Sequence, residues 1–169
     1  MQEDVKAMLI DNNSLLAIWR QIDVNNSGTI TTSEWHSWVK SRWNFVTAAA
    51  MRQAFQRTLA SSSTVQTQPA LQQALTVTLA LFERLLQTLP ICCEAEAMFA
   101  ACDADKDRRV TAAELKKRSK SHGLNLNADQ LKQGMEFFGS SSGFSSFCDW
   151  YIQQRGGDTA QEIAAVRSA

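Results

Sequence analysis

The sequence predicts an all-α protein built from four helix-loop-helix units arranged as two paired lobes. Helical periodicity, one polar loop design used twice, and the distance between the two copies carry this expectation. Leu15, Ile18, Trp19 and Ile22 fall at spacings of three and four, one face of a helix that ends at Asp23. Asn12, Asn13 or Ser14 stands where that helix needs a cap. Residues 23–34 then read Asp-Val-Asn-Asn-Ser-Gly-Thr-Ile-Thr-Thr-Ser-Glu, and Trp35, Trp38 and Val39 resume the helical pattern. The second copy runs likewise: Met98, Phe99 and Cys102 lead into the loop 103–114, and Leu115 follows it.

Each loop places oxygen-bearing side chains at positions 1, 3, 5 and 9 and a glutamate at 12. A hard divalent cation needs six to eight oxygens around it, and this spacing wraps one short loop around one ion. Two such loops with matching flanks resemble the EF-hand calcium-binding superfamily. The resemblance covers most of residues 10–155 and is specific at 15–39 and 98–115. In outline it is calmodulin-like. The Trp-rich helix after the first loop is also similar to sarcoplasmic calcium-binding proteins, and the residues do not choose between these subfamilies.

The resemblance implies a ligand set for up to two Ca2+ per chain, with Mg2+ as a competitor. In the first loop Asp23, Asn25 and Ser27 offer side-chain oxygens, Thr29 its carbonyl, Thr31 a water, and Glu34 both carboxylate oxygens. Gly28 permits the turn at positive φ. In the second loop Asp103, Asp105, Asp107 and Glu114 are carboxylates, Arg109 gives a carbonyl and Thr111 a water. The first loop carries −2, matching the ion. The second carries −4 against +3 from Lys106, Arg108 and Arg109, and Arg108 stands where glycine is expected. A side chain there strains the backbone by about 1–2 kcal/mol. These opposing terms leave the ranking of the loops open.

Asp103 lies 80 residues after Asp23, about twice the family's usual interval between consecutive units. A further unit is therefore expected between the copies and another after the second. Between them, Phe45–Leu59 is helical, Ser61–Pro69 is a polar loop, and 70–89 is a long amphipathic helix closed by Pro90. After the second copy, Asp129–Phe138 is helical with Asn127 as cap, 139–146 is a Ser/Gly loop, and Phe147–Gln154 returns to helix. Gly156-Gly157 breaks it ahead of a short tail. Neither inserted loop holds a carboxylate in a usable register, so hands one and three are competent and hands two and four degenerate. The implied lobes are 1–89 and 90–169. In the family the β-branched residue at position 8, Ile30 and Val110 here, pairs with the partner loop.

Composition narrows the function. Lys plus Arg and Asp plus Glu are 17 each, a formal net charge of zero, which points away from a nucleic-acid groove or a polybasic anchor. The longest apolar candidate, 70–89, is interrupted by Gln72, Gln73, Glu83, Arg84 and Gln87, so no membrane span is expected. The N-terminus lacks a signal-peptide layout and a myristoylation glycine. The cysteines, Cys92, Cys93, Cys102 and Cys148, have no zinc-ligand spacing, which suits reduced thiols in a cytoplasmic protein. No nucleophile or phosphate-loop motif accompanies His36 or His122, so no enzyme is expected.

The basic run Lys116, Lys117, Arg118 and Lys120 reads as a solvated helix face. Of five tryptophans, Trp35, Trp38 and Trp43 cluster after the first loop; Trp19 and Trp35 read as core, and Trp38 and Trp43 as either core or an apolar face for a protein partner. The expected function is a calcium sensor that repacks its helices to engage such a partner. The alternatives are a structural adaptor of a larger, for example cytoskeletal, assembly with incidental calcium, and a calcium buffer. Oligomeric state is not legible.

Overall fold

A buried β-branched residue, Ile30 or Val110, centres a three-residue strand in each polar loop. In the computed structural model, which describes residues 1–9, 11–60, 76–118, 126–138 and 141–155, β1 (Thr29–Thr31) pairs antiparallel with β2 (Thr76–Thr78), placing Ile30 opposite Val77. β3 (Arg109–Thr111) pairs antiparallel with β4 (Ser141–Gly143), placing Val110 opposite Ser142. Ile30, Val77 and Val110 are fully buried. Each ribbon joins two helix-loop-helix units, so the protein is all-α with paired lobes.

Two compact units divide between Cys93 and Glu94. The first holds α1 (Gln2–Leu9), α2 (Asn12–Ile22), α3 (Thr32–Arg42), α4 (Ala48–Ala60) and the start of α5 (Leu79–Cys102). The second holds the end of α5, then α6 (Ala112–Arg118), α7 (Ala128–Phe138) and α8 (Phe144–Arg155). Asp11 caps α2, accepting from the Ser14 N–H at 2.8 Å, so the cap lies one residue before the expected candidates. Asn127 caps α7 as expected. Its Oδ1 accepts from the Gln130 N–H at 2.8 Å, and Gln130 Oε1 accepts from the Asn127 N–H at 3.0 Å.

The region around Pro90 differs from expectation. The polar loop 61–69 lies outside the described residues, as does the start of the helix expected at 70–89. Thr76–Thr78 is a strand, and the helix begins at Leu79 and continues through Pro90 to Cys102. Interior proline removes a hydrogen bond and crowds the preceding turn, at about 3 kcal/mol. Here one apolar stripe runs across it: Phe82, Leu85, Leu86, Leu89, Cys92, Ala95, Phe99 and Cys102 are all buried. Burial on both sides of the proline outweighs its local preference. The joined helix of 24 residues is, by length and composition, long and apolar enough to cross a membrane, which the interrupted 70–89 window concealed. Its apolar stripe is buried within the fold.

The strand register also relocates the inserted loops. With Val77 opposite Ile30, the residue matching Glu34 is Leu81; with Ser142 opposite Val110, the residue matching Glu114 is Ser146. Neither is a carboxylate. Residues 139–140 and the tail 156–169 lie outside the described residues. α8 starts at Phe144, three residues ahead of expectation.

The tryptophans are core. Trp19, Trp35, Trp38, Trp43 and Trp150 are all buried, Trp38 the most exposed at 9%. The expected Trp-lined partner face is therefore not open. Trp35 stacks on Trp38 with centroids 5.8 Å apart, Trp38 meets Trp43 edge-on at 5.5 Å, and Arg42 lies over the last two rings. In the second unit Phe147 packs edge-on against Phe99 and Trp150.

Helix α1 was not foreseen. Its Val5, Met8 and Leu9 are buried while Gln2, Glu3, Asp4, Lys6 and Ala7 face solvent. It packs against α2, and the Trp43 Nε1–H donates to Asp4 Oδ2 at 3.1 Å. Eight residues are too few to hold a helix in water. Burial of three apolar side chains, about 1.5–3 kcal/mol each as an upper bound, holds it here.

Close packing at Gly134 of α7 yields a test of the second unit. A Cβ there would meet Leu115 Cδ2 at 3.1 Å and the Trp150 ring at 3.2 Å. We expect Gly134→Val to lower stability by about 1–3 kcal/mol in denaturant unfolding. Unchanged stability would show that the contact yields without strain.

Candidate metal centre

A loop that gathers carboxylates must first turn sharply enough to aim them inward. Both loops do so by placing positions 4 and 6 at positive φ: Asn26 (54°) and Gly28 (76°) in the first, Lys106 (62°) and Arg108 (64°) in the second. Nothing lies within 4 Å of a Cβ added to Gly28. Glycine is needed there for backbone conformation alone, and Arg108 holds the same conformation with a side chain attached.

In the first loop, Asp23 ends α2 and is buried, its N–H donating to the Trp19 carbonyl at 2.9 Å. Its Oδ1 accepts from the Ser27 N–H at 2.9 Å and its Oδ2 from the Gly28 N–H at 2.9 Å. Asn25 Oδ1 also accepts from the Ser27 N–H, at 2.9 Å. The Ser27 hydroxyl donates to the Thr29 carbonyl at 2.9 Å. Asp23, Asn25, Ser27 and Thr29 thus converge on one turn.

Glu34 is the third residue of α3. Its Oε2 accepts from the Thr31 N–H at 2.9 Å and the Thr31 hydroxyl at 2.7 Å, while the Glu34 N–H donates to Thr31 Oγ1 at 3.3 Å. This is a capping box, and the signal for it, Thr-x-x-Glu at 31–34 and again at 111–114, was readable in the sequence.

The second loop is drawn tighter. Glu114 repeats the capping box with Thr111, at 3.0 and 2.7 Å. Its other oxygen, Oε1, accepts from the Ala104 N–H at 3.0 Å, tying position 12 to position 2. These donors, Thr111 first, hold the Glu114 carboxyl below its usual 4.5. Asp103 Oδ2 accepts from the Arg108 N–H at 3.1 Å, Asp105 Oδ1 from the Asp107 N–H at 3.2 Å, and Asp107 Oδ1 from the Arg109 N–H at 2.7 Å.

One oxygen each of Asp103, Asp105 and Glu114 lie within 4.8 Å of one another. Asp103 Oδ1 is buried with no hydrogen-bond partner among the described residues. Three carboxylates converging with a buried lone pair left over form an all-oxygen donor set that fits a hard cation. Asp107 faces its own turn, accepting from the Arg109 backbone. The preceding Cys102 is fully buried, and burial, with Glu114 nearby, pushes its thiol up to about 11. None of the four cysteines is in a disulfide.

The basic run after this loop lies on α6, with Lys116 and Lys117 exposed; Lys120 lies outside the described residues. His36, on α3, is held below its usual 6.5 by burial and then by Arg52 and Lys40.

No family model matches the sequence, and no curated protein matches it. Among solved structures, this chain is similar to a homologue of programmed cell death 6 protein from Leishmania major Friedlin. The identity is 16% and the TM-score 0.37, over 94% of this chain and 95% of that one.

Backbone strain at position 6 separates the loops experimentally. We expect Gly28→Ala to destabilise the first unit by about 1–2 kcal/mol. Arg108→Gly should stabilise the second by less than about 1 kcal/mol, because glycine's extra unfolded-state freedom offsets part of the relief. Thermal unfolding of both variants checks the opposite signs. The lowered Glu114 pKa stabilises the fold above the unfolded carboxyl's 4.5, and that contribution is lost as pH falls through the folded value. Accordingly, Glu114→Gln should flatten the acid limb of the stability–pH curve.

Proposed function

We propose that this chain is an EF-hand-type calcium-binding protein with an ion site in each unit. Asp23, Asn25, Ser27, Thr29 and Glu34 form one, and Asp103, Asp105, Asp107, Arg109 and Glu114 the other. The observation that carries this reading is the convergence of Asp103, Asp105 and Glu114 beside the unpartnered Asp103 Oδ1. Leaving such an oxygen buried and unpaired is costly, and a cation supplies the missing partner. Magnesium, smaller and confined to six ligands, competes less well in a flexible loop of this kind.

The second site is the readier of the two. Glu114 already reaches across its loop to Ala104 beside the converging Asp103 and Asp105, whereas Glu34 makes no such bond across its loop among the described residues and Asp23 has both oxygens occupied by Ser27 and Gly28. Ion binding at the first site therefore has to draw Glu34 inward, and α3 with it. A helix carrying Trp35, Trp38 and Val39 in the core cannot move without repacking its neighbours. That coupling supports a sensor acting on a protein partner, in the cytoplasm, rather than an adaptor with incidental calcium or a passive buffer.

Isothermal titration with calcium tests both steps. Wild type is expected to take two ions, and Glu34→Gln and Glu114→Gln one each, with the tighter event lost in Glu114→Gln. Absence of any heat in wild type ends the metal reading. Binding that leaves tryptophan emission and hydrophobic-dye fluorescence unchanged retains the metal but overturns the sensor.

A further inference from the structure

A latch inside the first unit is the inference the packing carries furthest, resting on the first loop being an ion site. Helix α3 has a functional group at each end. Glu34 sits in its first turn, and Trp43 is its C-cap, donating through Nε1 to Asp4 of α1 at 3.1 Å. Eleven helical residues lie between strand β1 and that cap, a rigid span of about 16 Å. Whatever draws Glu34 toward the loop therefore displaces the Trp38–Trp43 pair at the far end. Those rings are also where Arg42 is stacked and where α1 is tied down.

α1 is suited to letting go. It is too short to persist as a helix once undocked. It presents a single stripe, with Asp4 bonded to the indole and Val5, Met8 and Leu9 buried. Its opposite face is exposed. An amphipathic segment seated this way defines the shape and polarity of what can replace it.

We propose that α1 is a latch on an apolar docking face of the first unit. Calcium at the Asp23–Glu34 loop loosens it through α3, and the face then takes an amphipathic partner helix of the same pattern. That pattern is a carboxylate for the Trp43 indole, followed by apolar residues one, four and five positions later. This accounts for an apolar, tryptophan-rich unit that shows no open tryptophan face. It also predicts that the ion works against the latch, so that the first site is weaker with α1 in place.

The test uses the full chain carrying Val5→Asp and Met8→Asp, with Lys6→Ala as an exposed-face control. Without metal, the double variant is expected to raise hydrophobic-dye fluorescence several-fold, near the level wild type reaches with calcium, while the control stays at baseline. In a Glu114→Gln background, its remaining calcium site should tighten several-fold. A hydrocarbon-stapled peptide of residues 1–11 should displace the dye, and the same peptide with Val5→Asp and Met8→Asp should not.

Unchanged dye fluorescence at native helicity overturns the latch. A dye response without tighter calcium binding overturns the coupling, and failure of the stapled peptide overturns the partner pattern. If neither background binds calcium, the ion reading fails, and the dye and peptide arms still decide whether α1 covers a docking face. Should the double variant lose helicity throughout, Asp4→Ala serves instead. It removes the indole's acceptor together with the N-terminal amine's partner, and should shift tryptophan emission and raise dye binding by a smaller factor; no change in either overturns the latch.

Discussion

The glutamate at the twelfth loop position has a structural role that precedes any ion. In both loops its carboxylate accepts from the backbone and hydroxyl of the threonine three residues earlier, which closes the first turn of the following helix. That bond fixes where the helix starts, and the helix start fixes the strand just before it. β1 and β3 end at the capping threonine. The pairing of each ribbon, and through it the neighbouring helix-loop-helix unit, therefore depends on a carboxylate of the loop itself.

Because the cap occupies one oxygen, the state of the other distinguishes the two loops. Glu114 turns Oε1 across to Ala104 and shuts the second loop. In the first loop the backbone is satisfied from the opposite end, by Asp23 accepting from Ser27 and Gly28. The sequence assigns one loop glycine and the other arginine at position 6, and both adopt the same left-handed backbone. Local strain is thus tolerated where the surrounding hydrogen bonds over-determine the turn.

Much of this was legible without coordinates. The loop spacing picked out the carboxylates, and Ile30 and Val110 forecast the ribbons through the EF-hand resemblance, in which the position-8 residue pairs with the partner loop. Asn127 was readable as a cap. What escaped had physical reasons. Thr76-Val77-Thr78 lies inside a segment whose apolar spacing also fits a helix, so only its pairing with Ile30 places it in a strand. Pro90 is a stop signal by local chemistry, overridden by the buried stripe from Phe82 to Cys102. α1 is too short to register as a periodic segment, and its docking depends on Trp43, 39 residues away from Asp4. Trp19 and Trp35 were readable as core, whereas nothing in the sequence separated core from open face for Trp38 and Trp43.

Cys102 stands at the join between the buried stripe of α5 and the second loop. Its sulfur sits one residue before Asp103 yet stays protonated far above neutral pH. Thiolate, not thiol, is the reactive form of cysteine, and burial keeps this one protonated. In the native fold that thiol is therefore shielded from alkylation and oxidation.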